Sequence, residues 1–88
     1  MKMREFDIIF GKIVRYKRKQ MKISQEKLSE LAGISTVHCR NIELGKHRTS
    51  WVTWVKLCTV LEIDMNSLAD KYIKPILNDV GENIGMKF

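Results

Sequence analysis

The chain has 88 residues, 44% of them apolar, with one proline and a net charge of +6. Its length supports a single small domain, and its composition excludes both a disordered chain and a turn-rich all-β chain. Two cysteines are too few for a disulfide framework, and no apolar stretch approaches the ~18 residues of a membrane span. Because no signal-peptide pattern opens the chain, we expect a cytoplasmic protein with reduced thiols.

The positive charge is concentrated near the N-terminus. Residues 1–22 hold eight Lys and Arg against two acidic residues, whereas residues 51–88 hold four basic and five acidic residues. Such polarity is typical of a protein that directs one face at a polyanion. A solvated basic helix gives the same pattern, so charge alone leaves both interpretations open.

Two helices are predicted in the first part of the chain. The first spans about residues 7–21 and places its apolar residues on one face, namely Phe10, Ile13, Val14 and Met21. Ser24 is an N-cap for the second helix, and Ile23 and Leu28 flank it at hydrophobic-staple spacing. Gly33 ends this helix, since glycine adopts a left-handed conformation at little cost. The predicted inward residues of the second helix are Leu28, Leu31 and Ala32.

Three further helices follow. The third runs from the N-cap Ser35 to about Leu44, and the fourth covers about residues 51–62. The fifth begins after Asp64, and Pro75 ends or bends it. The buried residues predicted for the fourth helix are Trp54, Leu57, Cys58 and Leu61. No strand pattern interrupts these segments, so the predicted fold class is all-α.

Only residues 32–35 separate the second and third helices. So short a joint forces the two helices to cross steeply, which is the helix-turn-helix arrangement. In the third helix Cys39 and Ile42 point inward, and the opposite face consists of Val37, Asn41 and Leu44. A narrow inward stripe with a small, polar outer face suits the DNA major groove, which admits one α-helix.

Three segments carry a family resemblance: RKQMKISQEKLSELAGIS, IELGK and TSWVTWVKLCTVLEIDMNSL. Over residues 10–68 the chain resembles the Cro/repressor-type (Xre-like) helix-turn-helix regulators. The matching positions are Gln25, Leu28, Ala32, Gly33, Ile34, Ile42, Glu43 and Gly45. The resemblance implies a five-helix lambda-repressor-like DNA-binding domain, which we place in residues 1–77. Residues 78–88 contain two glycines and little periodicity, so we expect them to form a flexible tail. The departures are Ser29 for the usual Ala, Thr49 for Pro and Glu62 for Gly.

The resemblance also implies roles in DNA binding. The base-reading residues would be Thr36, Val37, Arg40 and Asn41. Asn41 suits adenine, whereas Val37 and the methyl group of Thr36 suit thymine methyls, so we expect A·T pairs in each half-site. Arg40 could reach either a guanine or a phosphate. The phosphate-binding residues would be Gln25, His38, Lys46, His47 and Arg48. For His38, phosphate contact and plain solvent exposure are equally open.

Structural roles follow from the same resemblance. Arg18 and Glu43 would form a partly buried ion pair that ties the first helix to the end of the third. Trp51 stands where relatives usually carry leucine, so we expect it to pack in the core. The residues that could form an exposed apolar interface are Val52, Val55, Ile73, Ile76 and Leu77, although packing within the domain is an equal alternative.

These features predict a transcriptional regulator, a repressor in its simplest form, that binds double-stranded DNA as a homodimer. One alternative is an antitoxin-like protein whose main partner is another protein, and a second is an interaction module that does not touch DNA. A zinc site is not supported, because the spacing of histidines and cysteines matches no zinc pattern. No nucleophile and base are suitably arranged. We therefore expect no enzymatic activity and no cofactor.

Overall fold

The computed structural model describes residues 3–68 of the chain, with side chains described from Glu5 onward. Within this range the chain forms five helices and no strand, so the all-α, five-helix prediction is confirmed. The helices are α1 (Met3–Gln20), α2 (Gln25–Ala32), α3 (Thr36–Glu43), α4 (Trp51–Val60) and α5 (Met65–Leu68). None of these helices has both the length and the apolarity needed to cross a bilayer.

The helix boundaries differ from the predicted ones at several ends. α1 begins at Met3, earlier than the predicted residue 7. α4 ends at Val60 rather than near Glu62, because Glu62 adopts a left-handed conformation with φ of 55°. Glutamate is strained in this conformation, which glycine adopts freely. The predicted helix end at Pro75 and the predicted tail, residues 78–88, lie outside the described residues.

Serine side chains start three of the helices. Ser24, Ser35 and Ser50 are extended residues whose hydroxyl oxygens accept hydrogen bonds from backbone N–H groups three positions later. The O···N distances are 3.0, 3.0 and 3.2 Å. Each such cap stabilises a helix by about 1 kcal/mol. Short helices of eight to ten residues depend on these caps and on packing, since their intrinsic stability in water is marginal.

One hydrophobic core joins the helices. Its buried residues are Phe10, Val14, Leu28, Ala32, Cys39, Ile42, Leu57, Cys58, Leu61 and Leu68. The half-buried Trp54 covers this core, with its ring edge-to-face against Phe6 and Phe10 at centroid distances of 5.9 and 6.0 Å. Such aromatic pairs stabilise beyond their buried area.

Three predicted core residues lie at the surface, and for them the prediction is wrong. Leu31 is 49% exposed because α2 buries the face centred between Leu28 and Ser29, which turns Leu31 away from the core. Met21 is 41% exposed because it follows the last residue of α1. Trp51 is 64% exposed, with its ring against Trp54 at 4.8 Å, because Trp54 already covers the core.

α1 crosses the end of α3 at close range, and Gly11 makes this approach possible. A Cβ atom at Gly11 would lie 2.2 Å from the backbone oxygen of Ile42 and 2.9 Å from that of Glu43. Real Cβ atoms essentially never come so close to other atoms, so any larger residue would push α1 and α3 apart.

We predict that Gly11→Ala destabilises the protein, although alanine favours an isolated helix by about 1 kcal/mol. The expected net loss is about 2 kcal/mol, or about 10 °C in Tm, because the methyl group meets rigid backbone atoms. Thermal unfolding followed by circular dichroism measures the effect. Lys12→Ala, at the exposed neighbouring position, is the control and should change Tm little. An unchanged or higher Tm for Gly11→Ala would contradict the close approach.

Candidate nucleic-acid interface

The turn between α2 and α3 is fixed by backbone geometry. Gly33 adopts a left-handed conformation with φ of 68° directly after α2. The N–H of Ile34 then donates to the carbonyl oxygen of Ser29 at 3.0 Å, which closes the end of α2. Ser35 immediately caps α3. Each of the three residues between the helices is fixed by a hydrogen bond or by its backbone conformation, so the packing of α2 determines the direction of α3.

α3 has one buried side and one open side. Cys39, Ile42 and Glu43 are buried at 0%, 1% and 8% exposure. The predicted base-reading residues lie elsewhere on the helix: Val37 and Arg40 are exposed, and Thr36 and Asn41 are half-buried. Because the buried stripe is narrow, α3 can be held in the core and still offer a face to a groove.

The loop that follows α3 adds positive charge near this open face. Lys46, His47 and Arg48 are all exposed. The ring of His47 lies 6.0 Å from the ring of His38, which is half-buried in the first turns of α3. The loop therefore folds back beside α3, and side chains from both segments share one surface.

A charged cleft lies between α1, the start of α2 and the end of α3. Its volume is about 490 Å³. The residues that line it are Arg15, Arg18, Ser24, Gln25, Glu26, Arg40, Glu43 and Leu44. One arginine and one glutamate of this set pair with each other, which leaves two arginines against one glutamate, so the cleft carries a net positive charge and suits an anion. The positive end of the α2 dipole opens onto the same cleft.

Gln25, predicted from the sequence to bind phosphate, makes a contact within the protein. Its Nε2 donates to Oε1 of Glu43 at 3.2 Å. An amide nitrogen carries two hydrogens, and within residues 3–68 only one of them has an acceptor, so the other can donate to another group. Sequence reasoning missed this contact because 18 residues separate its partners. Glu43 thereby fixes the side chain of Gln25 beside the start of α2.

Arg18 and Glu43 lie together in a two-point ion pair. Nε of Arg18 is 2.7 Å from Oε2 of Glu43, and Nη2 is 3.1 Å from Oε1. Nη1 donates to the carbonyl oxygen of Ile23 at 2.9 Å. The side chains are only 12% and 3% exposed, and the hydrogen bond to Glu43 raises the pKa of Arg18 above its ordinary value. One guanidinium therefore binds α1 to the end of α3 and to the segment before α2.

We predict that Arg18→Ala lowers the free energy of unfolding by about 3 kcal/mol. Among the described residues it leaves the buried Glu43 carboxylate with only Gln25 and the weak thiol donor of Cys39, at 3.9 Å, as partners. Tm should fall by about 10 °C or more in a thermal melt. Arg15→Ala, which removes an exposed arginine of the same helix, should leave the melt nearly unchanged. Equal melting curves for both variants and the parent protein would reject the role of the ion pair.

The candidate apolar interface is described only in part. Val52 is 61% exposed and Val55 is half-buried. Ile73, Ile76 and Leu77 lie outside the described residues. Trp51, at 64% exposure beside Val52, is a large apolar side chain that the sequence assigned to the core. Trp51 and Val52 are adjacent, apolar and exposed, and together they form an apolar patch of the kind that partners cover.

The cysteines occupy core positions. Cys39 and Cys58 are free thiols at 0% and 2% exposure. Burial raises the pKa of each thiol to about 11, and the nearby Glu43 carboxylate adds to the rise at Cys39. Thiols of this kind are poor nucleophiles and poor metal ligands at neutral pH. Among residues 3–68, no group of three or more His, Cys, Asp and Glu residues could hold a metal ion.

These pKa values predict a loss of stability at high pH. An unfolded thiol ionises near pH 9, whereas the folded thiols stay protonated to about pH 11. Between these values the unfolded chain binds fewer protons, so the free energy of unfolding falls as the pH rises. Urea unfolding at pH 8 and pH 10.5 measures the difference. The Cys39→Ala/Cys58→Ala variant should show a smaller decline, and an equal decline would contradict the assignment to the thiols.

Comparison with models of protein families gives a match. A family model described as Helix-turn-helix matches residues 14–68, more than half of the chain. The matched segment begins within α1 and ends at Leu68, so it includes both α2 and α3 and both partners of the ion pair. No curated protein matches the chain.

Proposed function

Because the chain belongs to the Cro/repressor-type (Xre-like) helix-turn-helix family of DNA-binding regulators, we propose that it is a sequence-specific transcriptional repressor. It would bind a pseudo-palindromic operator as a homodimer and repress by blocking RNA polymerase. The observation that carries this proposal is the open face of α3 beside the exposed basic loop, residues 46–48. One surface thus offers groups for bases and groups for phosphates.

In the proposed complex each protomer places α3 in a major groove, with half-sites about 10 bp apart. The exposed Val37 would contact a thymine methyl group, and Asn41 would pair with the N6 and N7 atoms of adenine. Arg40, exposed on the same helix and lining the charged cleft, would bind a guanine or a phosphate. These contacts would select half-sites that contain A·T pairs.

Phosphate contacts would set the register of the complex. The second N–H of the Gln25 amide and the start of α2 would hold one phosphate, since Glu43 orients the amide. Lys46, His47 and Arg48 would hold the backbone beyond α3, with His38 at the edge of this group. Neutralising several phosphates makes binding steeply salt-dependent, so affinity should fall strongly between 50 and 200 mM salt.

Two protomers are proposed because a small module that contacts one half-site binds only modestly, and joining two half-sites multiplies the affinity. Val52 and Val55 would contribute to the contact between protomers. The family consists of DNA-binding regulatory domains rather than enzymes. We therefore propose that the chain acts by binding alone, in the cytoplasm and without a cofactor.

The exposed patch of Trp51 and Val52 favours a second candidate function. In an antitoxin-like protein this patch would bind another protein, and DNA binding would be autoregulatory or absent. Apolar contacts respond little to moderate salt, whereas phosphate contacts respond strongly. If the complex with the main partner has the same affinity at 50 and 200 mM salt, this would favour the second function over the first.

The proposed function is tested by selecting duplexes from a random-sequence pool with the purified protein at ~150 mM salt. We expect enrichment of an inverted repeat that contains A·T pairs. Asn41→Ala should relax one position in each half-site and weaken binding there by about 10- to 100-fold. Asn66→Ala, which removes an exposed asparagine of α5, is the matched control and should select the same repeat.

No enrichment by the folded protein would contradict the proposal. If Asn41→Ala selected the same repeat as the unmodified protein, with the same preference at every position, this would contradict the role of α3 in base reading.

A further inference from the structure

Two hydroxyl groups connect α2 to the start of α3. The Oγ of Ser29 lies 3.1 Å from the Oγ1 of Thr36, and it also lies 2.8 Å from the carbonyl oxygen of Glu26. Ser29 is buried at 4% exposure, whereas Thr36 is half-buried in the first turn of α3. Sequence reasoning noted Ser29 only as a departure from the usual alanine.

The number of hydrogens available shows which of the two hydroxyl groups is the donor. A hydroxyl group has one hydrogen, and a carbonyl oxygen can only accept. The hydrogen of Ser29 is therefore committed to the carbonyl oxygen of Glu26. In the contact between the two hydroxyls, Ser29 must then accept, and Thr36 must donate. Both hydrogens are used within the protein.

This commitment limits what Thr36 can offer to DNA. Without a free hydrogen it cannot donate to the acceptors of the major groove, which are N7 of the purines, O6 of guanine and O4 of thymine. It keeps its methyl group and an accepting oxygen. Of the four bases only thymine carries a methyl group in this groove, and apolar contact with it is a known means of recognition.

We propose that Ser29 is a positioning residue for sequence specificity: by taking the hydrogen of Thr36, it makes Thr36 a reader of thymine through its methyl group. This inference rests on the proposed function, since it concerns the same face of α3. With alanine at position 29, the hydroxyl of Thr36 would be free to donate to a purine. With serine at position 29, this chain would therefore differ in its base preference here from a relative that carries alanine.

The test uses the operator selected by the unmodified protein, with each thymine replaced in turn by deoxyuridine, which lacks only the methyl group. At one position in each half-site the replacement should weaken binding about fourfold, the value of one buried methyl group. Thr36→Val keeps the methyl group and replaces the hydroxyl with a second one, so it should show the same fourfold loss at that position. Thr36→Ser lacks the methyl group and should not respond to the replacement there.

For Ser29→Ala, the quantity to measure is the relative affinity for each of the four bases at this operator position, called its base profile. The substitution frees the hydrogen of Thr36, so discrimination against a purine at the same position should drop at least threefold. A purely structural role of Ser29 would lower Tm and leave the profile unchanged. Thr59→Ser, which shortens an exposed threonine of α4, is the control and should keep the profile and the response to deoxyuridine.

Several results would overturn the inference. A loss of base preference in Thr36→Val that Thr36→Ser does not show would mean that the hydroxyl reads the base. The inference would also fail if, at every thymine, replacement by deoxyuridine had the same effect on the Thr36→Ser variant as on the unmodified protein. If Ser29→Ala does not fold, the two Thr36 variants still show whether the methyl group or the hydroxyl reads the base, since neither removes the bond from Ser29 to Glu26. A hydroxyl that reads the base would overturn the inference. If the unmodified protein selects no sequence, the proposed function fails and the inference fails with it. If it selects one and the variants behave otherwise than expected, only the inference fails.

Discussion

The carboxylate of Glu43 is the group on which the arrangement of this domain depends. It lies in the last turn of α3, where the helix dipole disfavours negative charge, and it is almost completely buried. Arg18 offsets both costs with two short contacts and also binds the carbonyl oxygen of Ile23. A further hydrogen bond, from the side-chain amide of Gln25 to Oε1, joins the start of α2 to the same carboxylate. Three helices thus meet at one charged group.

This polar junction has a consequence for the surface. Since α3 is held by a narrow apolar stripe and by the carboxylate at its end, it does not need large apolar residues on its other side. Gly11 contributes to the same arrangement by letting α1 approach the backbone of α3. The side of α3 that carries Val37 and Arg40 is therefore left at the surface, and the exposed basic loop lies next to it. The contacts that hold α3 in the fold are made mainly by Cys39, Ile42 and Glu43, which lie on its other side.

Much of the fold could be predicted because its signals are local. The serine caps, the staples and Gly33 fix the starts and ends of helices within a few residues of sequence, and the family match confirms the resemblance. Leu31 was misassigned because Leu31 and Ser29 both fit a helical periodicity, and only the packed structure shows that α2 buries the serine side. The pairing of Ser29 with Thr36, the contact of Gln25 with Glu43 and the close approach at Gly11 depend on how helices meet. No pattern within a single helix indicates such contacts.

In the proposed complex the face of α3, the start of α2 and the basic loop bind DNA as one surface. Backbone and side-chain amide NMR signals, followed while an operator duplex is added, would show this surface. We expect shifts for the amides of residues 36–41 and 46–48 and for the side-chain amide of Gln25, with the amides of α5 unchanged. Shifts confined to Trp51 and Val52, or no shifts when the duplex is present in excess, would contradict the proposal.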